Sequence, residues 1–235
     1  MRYGLAFLLF ALILALRAVR LGGWWLLLLW PAGSFLFVAA AYAFRRPRLL
    51  GKRADGRLAP HALVPLAPFT ALSWVIWQTH RLLRGGPAAD EIAPGVWLGR
   101  RAGLRELPPG TKTVVDFTAE FWEPAAVRGV ARYVCFPTLD ATASDDASFD
   151  AALDCVASAD RPVYIHCAQG FGRAAALAAA LLVRLGAAPD AAGAIAMLKA
   201  IRPGVRLTGR QRDLVCRACR NSEIRTAPDP TNATS

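Results

Sequence analysis

The sequence predicts an α/β domain with a small central sheet flanked by helices, preceded by N-terminal transmembrane helices. Three observations carry this reading. Two long apolar runs open the chain, β-like and helical patterns alternate from about residue 90 onward, and 235 residues leave room for one domain of ordinary size beside a membrane segment.

Residues 4–16 and 21–44 are nearly continuous apolar runs, and the second reaches the ~20 residues that a helix needs to cross the hydrocarbon core. Arg2 before a short apolar stretch also fits a signal peptide. Arg17 and Arg20 stand where small residues should precede cleavage, so a helical hairpin over residues 1–44 is preferred. Residues 45–89 follow as a basic loop, a third apolar run and a linker. Arg45, Arg46, Arg48, Lys52, Arg53 and Arg57 crowd just after the long span, which predicts a cytoplasmic loop attracted to anionic lipid. The run at 62–77 is short and broken by Pro65 and Pro68, with Trp74, Trp77, His80, Arg81 and Arg84 at its end. An interfacial or re-entrant helix is expected there, with a third span as the alternative. Gly85-Gly86-Pro87 reads as a linker.

The formal charge of +11 sits in this first part. Residues 1–89 hold 11 Lys and Arg against one acid, and the remainder holds 17 against 16. A nucleic-acid partner would need a basic stripe on the folded domain, and none is evident. The five cysteines are an odd number absent from the first 134 residues, which points to a reduced compartment rather than a disulfide framework. Cys216 and Cys219 have CxxC spacing but no second pair or nearby histidine, so zinc is not expected.

In the domain expected over 90–221, TVVDF (113–117) and RYVCF (132–136) read as strands and DDASFDAALDCV as a helix. PVYIHC then reads as a buried strand, followed by helices over RAAALAAALLVRL, DAAGAIAMLKAI and GRQRDLVCRAC. Residues 222–235 read as a disordered tail.

The chemistry lies in VYIHCAQGFGRAAALAAALL (163–182). A loop of Ala168, Gln169, Gly170, Phe171 and Gly172 between Cys167 and Arg173 can curl so that successive N–H groups point inward at a helix N-terminus, forming an anion site sized for phosphate. The glycines permit positive φ and close approach, and Arg173 can offer a bidentate fork to two phosphate oxygens. Such a cradle favours a thiolate beneath the bound phosphorus, ready for in-line attack. A leaving alcohol then needs a carboxylic acid. Asp140 follows a strand, whereas Asp145 and Asp146 compete for the role but suit the first turn of the next helix. Asp116, ending a buried strand, is expected to be structural.

His-Cys-x5-Arg is the pattern of the Cys-dependent protein tyrosine phosphatases, and residues 90–220 resemble their dual-specificity branch. EIAPGVWLGRR is similar to the opening of such domains, VVDFTAE to an early strand and loop, and IRPGVRLTGRQRDLV to the closing helices. The whole chain resembles bacterial membrane-anchored members. The resemblance implies Cys167 as nucleophile, Arg173 as transition-state clamp, His166 as a partner that orients the loop, and Asp140 as general acid, with no metal or other cofactor. It implies a phosphoprotein substrate at a cell membrane, and the basic cluster after the long span places the catalytic domain on the cytoplasmic side as an expectation. A phospholipid headgroup substrate is the alternative, favoured by anchoring and opposed by a loop without Lys or Arg. A phosphate-binding pseudophosphatase is the third reading. Ala174 keeps it open, since the family usually has Ser or Thr after the arginine.

Overall fold

The computed structural model describes residues 2–130 and 132–226. Its contacts divide the chain into two units, with residues 1–87, 103–105 and 116–140 in the first and 88–102, 106–115 and 141–235 in the second.

In the first unit, α1 (Arg2–Leu21) runs on through Arg17 and Arg20. A 3-10 turn (Gly23–Leu28) then leads into α2 (Leu29–Ala43). Gly22 and Gly23, at φ 61° and 53°, supply the positive φ that the junction requires. Among the described residues two segments, Tyr3–Leu21 and Gly23–Ala43, are long and apolar enough to cross a membrane. The third apolar run is split into α3 (Pro60–Leu63) and α4 (Ala67–Arg84), with Pro65 in the turn between them. Phe69 of α4 packs with Phe35, Val38 and Ala41 of α2 and with Leu50 and Leu66, in a core that also includes Ala119 and Leu139. Helix α4 exposes Trp74, Val75, Ile76, Leu82 and Leu83. Trp77, expected at the headgroup level beside Trp74, is instead 5% exposed, packed 6.3 Å from the Phe121 ring and covered by the Arg81 guanidinium.

Lys52 departs most from expectation. An isolated bridge between Lys52 and Leu58 closes a short loop. The Lys52 side chain is fully buried, ion-paired to Asp116 and donating to Thr118 Oγ1 at 2.6 Å. Tyr133 OH donates to the same Asp116 carboxylate at 2.6 Å, and Thr118 N–H donates to its other oxygen at 2.6 Å. Asp116 is thus a buried structural anion, as its strand position suggested. Lys52 leaves the exposed basic cluster because a buried carboxylate needs a partner charge. The arginines at 45, 46, 48, 53 and 57 remain exposed. Gly56, at φ 78°, lies against the Tyr133 ring, where a Cβ would approach to 2.7 Å. Burial first, then the Asp116 charge, push the Tyr133 phenol well up and the Cys135 thiol up to about 12.

Among the described residues the sheet has five strands in the order β1-β2-β5-β3-β4. These are β1 (Ala89–Ala93), β2 (Val96–Arg100), β3 (Thr113–Thr118), β4 (Arg132–Thr138) and β5 (Val163–Cys167). Strand β1 is antiparallel to β2, and β2 is parallel to β5 with Arg100 beside Cys167. All residues of β3 and β5 are buried, which explains why neither alternates apolar with polar positions as a strand with one solvated face would. After α5 (Ala125–Val130) come α6 (Asp146–Ala157), α7 (Arg173–Arg184), α8 (Ala191–Ile201) and α9 (Gly209–Thr226). Asp145 N-caps α6 by accepting from Ser148 N–H at 2.8 Å, and Asp190 N-caps α8 by accepting from Gly193 N–H at 2.7 Å. Helix α9 is entered through a capping box in which Thr208 Oγ1 accepts from Gln211 N–H and Gln211 Oε1 accepts from Thr208 N–H. It continues through residues 222–226, where the sequence predicts a tail, and residues 227–235 of that tail lie outside the described residues.

Candidate active site

Strand β5 delivers Cys167 to the C-terminal end of the sheet, where parallel strands of α/β folds present ligands to following helices. Helix α7 starts at Arg173, and residues 173–182 are buried on every side, so its alanines let the helix press closely on its neighbours. Cys167 is 3% exposed and Arg173 4%.

The loop between them is shaped by its carbonyls. Ala168 C=O accepts from Arg101 N–H at 3.2 Å, Gln169 C=O from the Arg202 guanidinium at 3.1 Å, and Phe171 C=O from Arg206 N–H at 2.8 Å. A trans peptide points its N–H opposite to its C=O, so anchoring these carbonyls on the outer side turns the N–H groups of Gln169, Gly170 and Gly172 inward. Gly170 N–H accordingly donates to Cys167 Sγ at 3.2 Å. Gly170 has φ 73°, and any Cβ there would collide with the Gly99 carbonyl, so only glycine fits. Arg202 is held by Asp90 and stacks over the Phe171 ring 5.0 Å from its centroid. Arg100, next to Cys167 in the register, is ion-paired to Glu106 at 2.8 Å. What results is a concave row of donors over a cysteine with an arginine at its helical edge, which can hold a tetrahedral oxyanion.

His166, fully buried, stacks on the Tyr164 ring at 5.4 Å, and the Tyr164 hydroxyl donates to the Arg100 carbonyl. The second unit therefore brings together Cys167, His166, Arg173 and residues 168–172. Asp140 belongs to the first unit and is exposed, with its backbone carbonyl accepting from Tyr42 OH at 3.2 Å. Asp145 is committed to its cap and Asp146 to Arg210 and Arg217.

Residues 104–231, more than half of the chain, match the family model described as Swiss Army Knife protein, DSP-PTPase phosphatase domain. The chain belongs to this family of dual-specificity-type phosphatase domains. No curated protein sequence matches it. Among solved structures, PTPMT1 in complex with PI(5)P is similar at 19% identity and a TM-score of 0.51, over 60% of this chain and 99% of that one. A point variant of human DUSP28 is similar at 20% identity and 0.51, over 60% and 100%. Tk-PTP in its active form is similar at 22% identity and 0.50, over 57% and 97%. These likenesses concern the fold.

The phosphatase domain has residues that the sequence reading missed. Arg101, Arg202 and Arg206 shape the loop over residues 168–172, and they come from distant stretches of chain, so no local motif announces them. Gln211 does likewise: its side chain caps α9 and donates to the Thr142 carbonyl at 2.6 Å, tying the stretch after Asp140 to the last helix. The one available signal was IRPGVRLTGRQ, where Pro203-Gly204 ends α8. Gly204 leaves room for the Phe171 ring, which a Cβ would strike.

Proposed function

We propose that the chain is a membrane-anchored phosphatase that hydrolyses phosphate monoesters of protein through a cysteinyl-phosphate intermediate. Residues 1–44 would form the anchoring hairpin, 45–89 the juxtamembrane part, and 90–221 the catalytic domain. In the first step the Cys167 thiolate attacks phosphorus, an S–P bond forms and the P–O bond to the leaving group breaks. Asp140, as the carboxylic acid, gives that oxygen its proton. Arg173 and the N–H groups of 168–172 hold the equatorial oxygens as charge shifts among them. In the second step water attacks phosphorus, Asp140 takes its proton, and the thiolate departs, releasing orthophosphate. His166 orients the loop from below.

The observation that carries this reading is the loop whose carbonyls are drawn outward by Arg101, Arg202 and Arg206 while Gly170 N–H meets Cys167 Sγ. Replacing Cys167 by Ser tests it. Turnover is expected to vanish while vanadate, expected to inhibit the natural chain, still binds. Full activity of Cys167→Ser, or loss of activity on chelation with EDTA, would refute the mechanism.

A second reading, hydrolysis of a phospholipid headgroup, is supported by the two apolar N-terminal helices, which would hold the site near lipid. The loop AQGFG offers no basic side chain for a multiply charged headgroup, which favours phosphoprotein. Phosphotyrosyl peptide, phosphoseryl peptide, phosphatidylglycerophosphate and phosphoinositide, assayed side by side on detergent-solubilised protein, discriminate the readings by kcat/KM.

A further inference from the structure

We infer that Tyr42, in the last turn of the second apolar helix, is a positioning residue for the general acid, so that the N-terminal hairpin takes part in catalysis. The inference rests on the assignment of Asp140 as that acid. Three observations within the first unit and its boundary lead to it. The Tyr42 hydroxyl donates to the Asp140 carbonyl at 3.2 Å. Leu139, immediately before, is 3% exposed and belongs to the core built by Ala11, Phe35, Val38, Ala41 and Phe69 of the apolar helices. Immediately after, Ala141 has φ 53°, a left-handed conformation that an alanine adopts only when its surroundings impose it.

Together these fix the peptide on each side of Asp140. The side chain of residue 139 is locked in the hairpin core, the carbonyl of 140 is held by a hydroxyl from the same hairpin, and the chain then turns sharply at 141. A carboxyl on an exposed loop would otherwise sample many orientations, and proton donation needs one of them. Tyr42 itself is held by ring contacts to Phe7 at 5.5 Å and Tyr3 at 6.3 Å, so its hydroxyl is aimed by packing that phenylalanine would preserve.

The test is Tyr42→Phe in the full chain, assayed in detergent or nanodiscs on a series of phosphate monoesters from activated aryl to alkyl. Loss of one hydrogen bond to the loop backbone is expected to lower kcat/KM, which reports the steps through P–O cleavage and not the later hydrolysis of the phosphoenzyme, about two- to tenfold for the poor leaving groups. For the most activated aryl phosphate, which departs without a proton, kcat/KM should be unchanged, and so should vanadate affinity. The alkaline limb of kcat/KM, which reports the acid's protonation, should flatten for the poor leaving groups only. Asp140→Asn is run in parallel. If it shows the leaving-group selectivity and Tyr42→Phe does not, or if Tyr42→Phe slows all substrates equally, the positioning role is overturned while the acid assignment stands. If Asp140→Asn shows no selectivity, the acid is another group and the role of Tyr42 falls with it.

Discussion

Ala174 is fully buried at the first turn of α7, directly after Arg173, the proposed phosphate clamp. In the proposed second step the sulfur regains its charge as water attacks phosphorus, and a hydroxyl at 174 could donate to it where a methyl group cannot. Gly170 N–H already meets Sγ. A further hydrogen bond to a developing charge is worth about 1.5–3 kcal/mol, a tenfold to hundredfold effect on rate. Phosphoenzyme is therefore expected to accumulate, giving a pre-steady-state burst with an aryl phosphate, and Ala174→Ser is expected to raise kcat and shrink the burst. Stopped-flow measurement without a burst, and without gain from serine, would show that the Gly170 donor suffices. Cys135 provides a second residue-scale expectation. Its thiol is pushed up from an ordinary 9.0 to about 12, chiefly by burial. A raised folded-state pKa contributes stability that is present below about pH 9 and lost as pH rises toward about 12, because the unfolded chain ionises first. Thermal unfolding should move to lower temperature above pH 9, and Cys135→Ala should reduce that slope.

At the scale of elements, the loop closed by Lys52 and Leu58 has become part of the first unit's core. Breaking a buried ion pair by removing one partner costs about 3–5 kcal/mol, whereas removing both costs much less. Lys52→Met should therefore lower Tm markedly, and adding Asp116→Asn should restore much of the loss. Additive losses in the double variant would show that the pair is not the source of the stability. This loop also marks what the sequence made legible. Strand β5, the loop after Cys167 and α7 were readable because a buried run, two glycines and an arginine lie consecutively in the chain. The starts of α6 and α8, at Asp145 and Asp190, were readable because an acidic residue before an apolar helical pattern is a local signal, although both residues turn out to be caps rather than first-turn residues. Lys52 was not, since its partner Asp116 is far away in sequence and a lysine among arginines looks like one more surface charge. Trp77 was misread for the same reason, its neighbour Phe121 being distant. Arg202 and Gln211 lay inside a stretch recognised only as closing helices, with nothing local to say that their side chains reach back to the loop after Cys167 and the segment after Asp140.

At the scale of the whole molecule, the distribution of charge sets the orientation expected for the catalytic residues. The junction between the two apolar segments carries Arg17 and Arg20 near it, whereas Arg2 precedes the first segment and five exposed arginines follow the second, even with Lys52 subtracted. A hairpin puts Arg2 and those five on the same side, and the side richer in Lys and Arg near the span ends stays in the cytoplasm. Helix α4 is not among the segments long and apolar enough to cross, and a crossing there would reverse the orientation. Cys167 is accordingly expected on the cytoplasmic side, where thiols stay reduced and a thiolate nucleophile survives. Fusions of alkaline phosphatase and of a fluorescent protein after Ser235 check the orientation: fluorescence with little alkaline phosphatase activity is the expected pair. The cause is checked separately by replacing Arg45, Arg46 and Arg48 with Gln while placing Lys at the exposed Val19 and Leu21 beside the junction, which should shift fusions toward alkaline phosphatase activity. Strong periplasmic activity from the natural sequence would mean that the arginine bias does not orient this hairpin, or that residues 62–77 cross after all.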